Sequence, residues 1–119
     1  MRLAAFVAGL GAVVALAACG NSYGPGGSGC SSTTTKVCAV DNVFDPTNLT
    51  ITAGTTVTWQ NGGSATHSVT SDTGEPFNTD LASGQSTTHR FDTPGTYGYH
   101  CRFHGTASSG MHATITVNP

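Results

Sequence analysis

The chain has 119 residues, with four Lys or Arg, six Asp or Glu and a formal net charge of −2. Charged residues make up 8%, against the roughly 25% of an ordinary globular chain, and 20 Thr, 11 Ser and 16 Gly take their place. This balance excludes a basic surface for nucleic acid, an acidic tail and a charged coiled coil, and the length allows one domain.

Residues 3–18 carry no charge and follow Arg2. A positive start before a short apolar run is the layout of a secretory signal. The run falls short of the roughly 20 residues of a transmembrane helix. It ends in Leu16-Ala17-Ala18-Cys19, which resembles the bacterial lipobox. That resemblance implies cleavage before Cys19, a diacylglycerol on its thiol, and an exported protein anchored at the cell envelope by lipid alone. Residues 19–35 then read as a Gly/Ser/Thr tether with almost nothing apolar to bury. The folded domain is expected over residues 36–119.

That domain alternates with a period of two and shows no sustained helical period. Strands are expected at 37–43, 47–52, 55–60, 66–71, 86–92, 96–101 and 112–118, with an irregular excursion over 72–85. Leu49 and Ile51 share a parity, as do Val57 and Trp59, His67 and Val69, Tyr97, Tyr99 and Cys101, and finally Met111, Ala113, Ile115 and Val117. Gly54, Asn61-Gly62-Gly63 and Asp92-Thr93-Pro94-Gly95 supply turns. Thr suits the solvent face of a strand. The expected fold is all-β: a Greek-key antiparallel sandwich of about seven to eight strands.

The parity places chemistry at one end of that sandwich. Cys101, Met111 and His67 all stand at strand ends on the inward face, and His104 lies just after Cys101. A thiolate and two imidazoles in a trigonal arrangement, with a weak axial thioether, form the ligand set of a blue-copper electron-transfer site. Zinc fits less well, because Cys101-x2-His104 lacks a second Cys or His pair. His100 alternates with Cys101 and should point away, and His89 reads as a structural histidine beside Phe91. Asn61 reads as a turn residue in preference to a residue that supports the metal ligands. Asp72, Glu75 and Asp80 read as scattered solvated charges more readily than as an acidic patch.

Cys101-x2-His104-x6-Met111, followed by an alternating strand, resembles the C-terminal copper loop of the cupredoxins, the plastocyanin-like small blue copper proteins. Phe44-Asp45-Pro46, Gly54-Thr55-Thr56-Val57-Thr58-Trp59-Gln60-Asn61, His67-Ser68-Val69 and Pro94-Gly95-Thr96-Tyr97-Gly98-Tyr99-His100-Cys101 are similar to other parts of that family. The resemblance spans residues 37–118. It implies one type 1 copper ion held by His67, Cys101, His104 and Met111, a monomer, and single-electron exchange with redox protein partners, without catalysis. His104 is then the electron port, on a loop of small neutral residues. Storage or delivery of copper is the alternative role. Six residues separate His104 from Met111, more than plastocyanin-like members usually have. His112 is the other conceivable axial ligand, but its parity points outward. With Cys19 and Cys101 so assigned, Cys30 and Cys38 remain, and in an oxidising compartment they can close a small loop.

Overall fold

In the computed structural model, residues 29–119 are described. The signal segment, the Cys19 lipidation site and most of the tether lie outside them. Nine strands follow in order: β1 (Lys36–Val40), β2 (Val43–Asp45), β3 (Asn48–Thr52), β4 (Thr55–Asn61), β5 (His67–Ser71), β6 (Asn78–Leu81), β7 (Ser86–Phe91), β8 (Gly95–Gly105) and β9 (Gly110–Asn118). They form two sheets, ordered β2-β1-β4-β7 and β3-β9-β8-β5-β6.

The sandwich is all-β, as expected. Two of its pairings, β1 with β4 and β3 with β9, are parallel. The cause lies between β2 and β3. Pro46 has no N–H to offer a ladder, and there the chain leaves the first sheet for the second. The crossover sets β3 alongside β9.

Two strands were hidden in the sequence. The expected first strand breaks at Asp41-Asn42, where φ is 45° and 66°, and the chain reverses so that Val40 faces Val43. Asp and Asn tolerate the left-handed region better than other side-chain residues, so a tight hairpin forms without glycine. The second is β6, inside the expected excursion. Only Leu81 of its four residues is buried, so it shows no alternation. It forms because β5 offers it an edge, with His67 opposite Leu81 and Thr70 opposite Asn78.

Alternation fills the interior. Trp59 is fully buried, and its ring meets Phe77 at 5.3 Å, Tyr99 at 5.6 Å and Phe91 at 6.2 Å. Phe44 closes on Tyr99 edge-on at 4.7 Å. Burial pushes the Tyr99 phenol above its ordinary pKa. All five residues of β5 are buried, on both faces. On the outer face, Arg102 of β8 reaches across β5 to Asp80 of β6, at 2.5 Å, and so covers Ser68.

The end of the tether is held against the domain. Cys30 and Cys38 are disulfide-bonded, Thr33 bridges to Lys36, and Ser32 Oγ donates to Asp45 Oδ2 at 3.2 Å. Closing a loop this short removes about 2–3 kcal/mol of unfolded-chain entropy. Reduction should therefore lower the free energy of unfolding by about that amount in a denaturant titration. Before reduction neither thiol should react with an alkylating reagent; labelling of either would contradict the bridge.

Candidate metal centre

His67 opens β5, Cys101 lies on β8, His104 follows near its end, and Met111 is the first inward residue of β9. Cys101 Sγ stands 3.5 Å from His104 Nδ1 and 3.8 Å from His67 Nδ1. All three donor atoms lie within 4.8 Å of one another, and the two rings meet at 5.0 Å and 63°. Cys101 is a free, fully buried thiol, and Met111 is 1% exposed. The structure brings the donor atoms of His67, Cys101 and His104 together and buries Met111 at the start of β9. His112 is exposed, as its parity required.

The donor set fits a metal ion. The two sulfur–nitrogen separations are short enough for one ion to bond both partners, with metal–nitrogen bonds of about 2.0 Å and metal–sulfur bonds of about 2.3 Å. Two Nδ1 atoms and a thiol sulfur converge there. Burial, and then the neighbouring His104, hold the His67 pKa below 6.5, with Asp41 acting weakly the other way. The ring is therefore neutral near pH 7, with a lone pair free for coordination.

Space for an ion comes from a broken ladder. β5 and β8 pair through Thr70 with His100 and Ser71 with Tyr99, and the pairing goes no further toward the site. Beyond it, Ser68 replaces the ladder. Its N–H donates to Cys101 Sγ at 3.3 Å, and its Oγ accepts from Arg102 N at 2.9 Å. The strands stay joined while His67 and Cys101 splay far enough apart to share a ligand.

Asn61 performs a similar service beneath His67. It is fully buried; its Nδ2 donates to Ala65 O at 2.7 Å and Leu81 O at 2.9 Å, and its Oδ1 accepts from Gly63 N at 2.9 Å. One side chain thus fixes the 61–66 loop and the β6 residue facing His67. Both readings of Asn61 fit these bonds, the turn through Gly63 and Ala65 and the support of a ligand through Leu81. Its position just before Gly62-Gly63 was the available signal, whereas nothing in the residue type of Ser68 marked its two bonds.

The long His104–Met111 spacing is absorbed in a hairpin tip. Gly105 pairs with Gly110, and Thr106 N donates to Ser109 O at 2.8 Å. A Cβ on Gly110, which has φ 72°, would lie 2.6 Å from His104 O. A Cβ on Gly105 would overlap the Met111 backbone. The two glycines let the strands close directly above the site. The extra residues 106–109 form the exposed tip of the hairpin.

Two outcomes follow. In the metal-free protein the His67 ring should titrate below pH 6.5, because only its neutral form suits the buried site. Between that value and 6.5 the unfolded chain binds more protons, so this contribution to stability is complete above 6.5 and is lost as pH falls. A His67 ring resonance titrating at or above 6.5 would contradict the burial argument. Ser68→Ala should cost about 1–3 kcal/mol in a denaturant titration by stranding the Arg102 N–H; an unchanged midpoint would show that the bond contributes nothing.

With the geometry established, comparisons with known proteins place the chain. A family model described as a cupredoxin-like domain matches residues 9–117. Plastocyanin of Scenedesmus fuscus is 42% identical over 86 residues, covering 63% of this chain and 86% of the relative. Chloroplastic plastocyanin of Tetradesmus obliquus is 38% identical over 86 residues, and there the match spans 58% of the relative's length. Among solved structures, a purple cupredoxin from Nitrosopumilus maritimus superposes with a TM-score of 0.61 at 28% identity, over 71% of this chain and 99% of that one. The chain belongs to the cupredoxin-like family.

Proposed function

We propose that this chain is a mononuclear type 1 copper protein that carries single electrons between redox proteins outside the cytoplasmic membrane. The observation that carries the reading is the convergence of His67, Cys101 and His104 beside the buried Met111. Copper bound there supplies one-electron exchange between its cuprous and cupric states.

The residues make that exchange inexpensive in motion. Cys101 brings a thiolate and Met111 a thioether, both suited to the cuprous ion, while the two imidazoles suit the cupric ion. All four stand on strands of one packed sheet, so little rearranges between the states. The Ser68 N–H draws charge from the sulfur and so favours the reduced form. His67 is sealed inside, whereas His104 is only half-buried and is the edge through which an electron leaves.

The surface there supports docking by contact more than by charge. Residues 105–110 carry no charge, and neighbouring Phe103 is 49% exposed. The nearby Arg102 and Asp80 neutralise one another, as do His100 and Asp72 when the imidazole is protonated. Such a face gives little electrostatic steering. The partners are therefore redox proteins with a similarly apolar contact patch, met by a monomer of this chain. Arg2, the apolar run and Leu16-Ala17-Ala18-Cys19 support export and lipid attachment at the envelope. A copper-delivery role would favour exchangeable Met-rich ligands, and the chain has two Met, one of them Met1.

Loading with Cu(II) should produce an intense visible thiolate-to-copper band that Cys101→Ala abolishes. Voltammetry should then show a reversible one-electron wave with the metal retained. A colourless Cu(II) complex would sink the type 1 reading. Rapid loss of Cu(I) to a chelator would favour delivery over electron transfer.

A further inference from the structure

The outer face of the β3-β9-β8-β5-β6 sheet carries imidazoles that the electron-carrier reading leaves unused. His100 and His112 are register partners on β8 and β9. Each adjoins an inward ligand, Cys101 or Met111, so the pleat turns both to the opposite face. His100 is half-buried and His112 exposed. Facing residues of an antiparallel pair have Cβ atoms about 4.5–5.5 Å apart. That spacing lets two imidazoles reach one ion at bonds of about 2 Å.

His100 is already prepared as a ligand. Its Nδ1–H donates to Asp72 Oδ1 at 2.7 Å. An ionised carboxylate only accepts, so Nδ1 carries the hydrogen of this bond and Nε2 is the ring nitrogen left to face an ion. A carboxylate behind the ring is the arrangement that orients histidines on metals. The carboxylate is itself seated by the backbone. Asp72 N donates to Gly98 O at 3.0 Å. A Cβ on Gly98 would overlap Asp72 Oδ2 and lie 3.3 Å from its Cγ. Gly98 stands two residues before His100 on the same face, so its missing side chain is the space the carboxylate occupies.

A simple surface ion pair accounts for the hydrogen bond. It does not account for a second imidazole in register with the first, on the side away from Asp72. Among the described residues only the inner group converges as it stands. Closing the outer pair takes a rotation of the exposed His112 side chain.

We propose that His100 Nε2 and His112 form a second metal site for one imidazole-preferring divalent ion, Cu(II) or Zn(II). Asp72 orients His100, and water completes the coordination. The ion would lie across the same two strands from the Cys101 centre. The proposal does not rest on the electron-carrier reading.

Zn(II) alone, titrated into the copper-loaded full chain, tests it by calorimetry and the visible band with the copper oxidised, and by the histidine ring resonances with the copper reduced to diamagnetic Cu(I). One saturable equivalent should shift the His100 and His112 rings together and leave the visible band unchanged. His112→Gln, a change at an exposed position, should remove that equivalent. Asp72→Asn should weaken it by about 10–100-fold. The same titration on Cys101→Ser separates the two centres, because the outer equivalent should persist there. Zinc binding that spares the two rings, that survives His112→Gln, or that disappears with Cys101→Ser would overturn the proposal.

Discussion

The site depends on two strands that are joined along one stretch and parted along the next. β5 and β8 pair at Thr70–His100 and Ser71–Tyr99, then give up their ladder just where His67 and Cys101 must face a common ion. Leaving those backbone groups unpaired in a buried place would be costly. Ser68 removes most of that cost with its amide on the Cys101 sulfur and its hydroxyl beneath the Arg102 amide. The same two bonds keep the strands from drifting. A gap of fixed width is what a metal needs if it is to change oxidation state without moving its ligands.

The rest of the fold keeps that gap stiff. Trp59, Phe77, Phe91 and Tyr99 form a continuous aromatic packing below it, and interiors packed this way resist deformation. Asn61 ties the loop before His67 to β6, and Gly105 and Gly110 bring β8 and β9 together above it. On the other face, Arg102 and Asp80 lie over Ser68. Each tie is modest alone. Together they surround a His67 ring that is fully buried.

Much of this was legible in the chain because β-pleat geometry is simple. Parity alone put Cys101, Met111 and His67 inward and His100 and His112 outward, since successive side chains must alternate. It failed where other physics governs. The Asp41-Asn42 hairpin was masked because Asp and Asn entered the left-handed region without a glycine to announce it. β6 was masked because an edge strand with one buried residue carries no pattern. The parallel pairings follow from a crossover, and a crossover is a property of the whole chain. The role of Ser68 depends on a partner 34 residues away, and the bond from Asn61 to Leu81 on one 20 residues away, and no local pattern marks either.

Both faces of β8 and β9 now carry function-bearing side chains, and the pleat keeps them apart by backbone alone. The inner face holds a soft, buried donor set matched to copper, and the account stands on that set being used together. X-ray absorption at the copper edge of the loaded protein tests this most directly. One short sulfur ligand and two nitrogen ligands are expected, with the short sulfur lost in Cys101→Ser. A copper shell of nitrogen and oxygen alone, unchanged by that substitution, would contradict it.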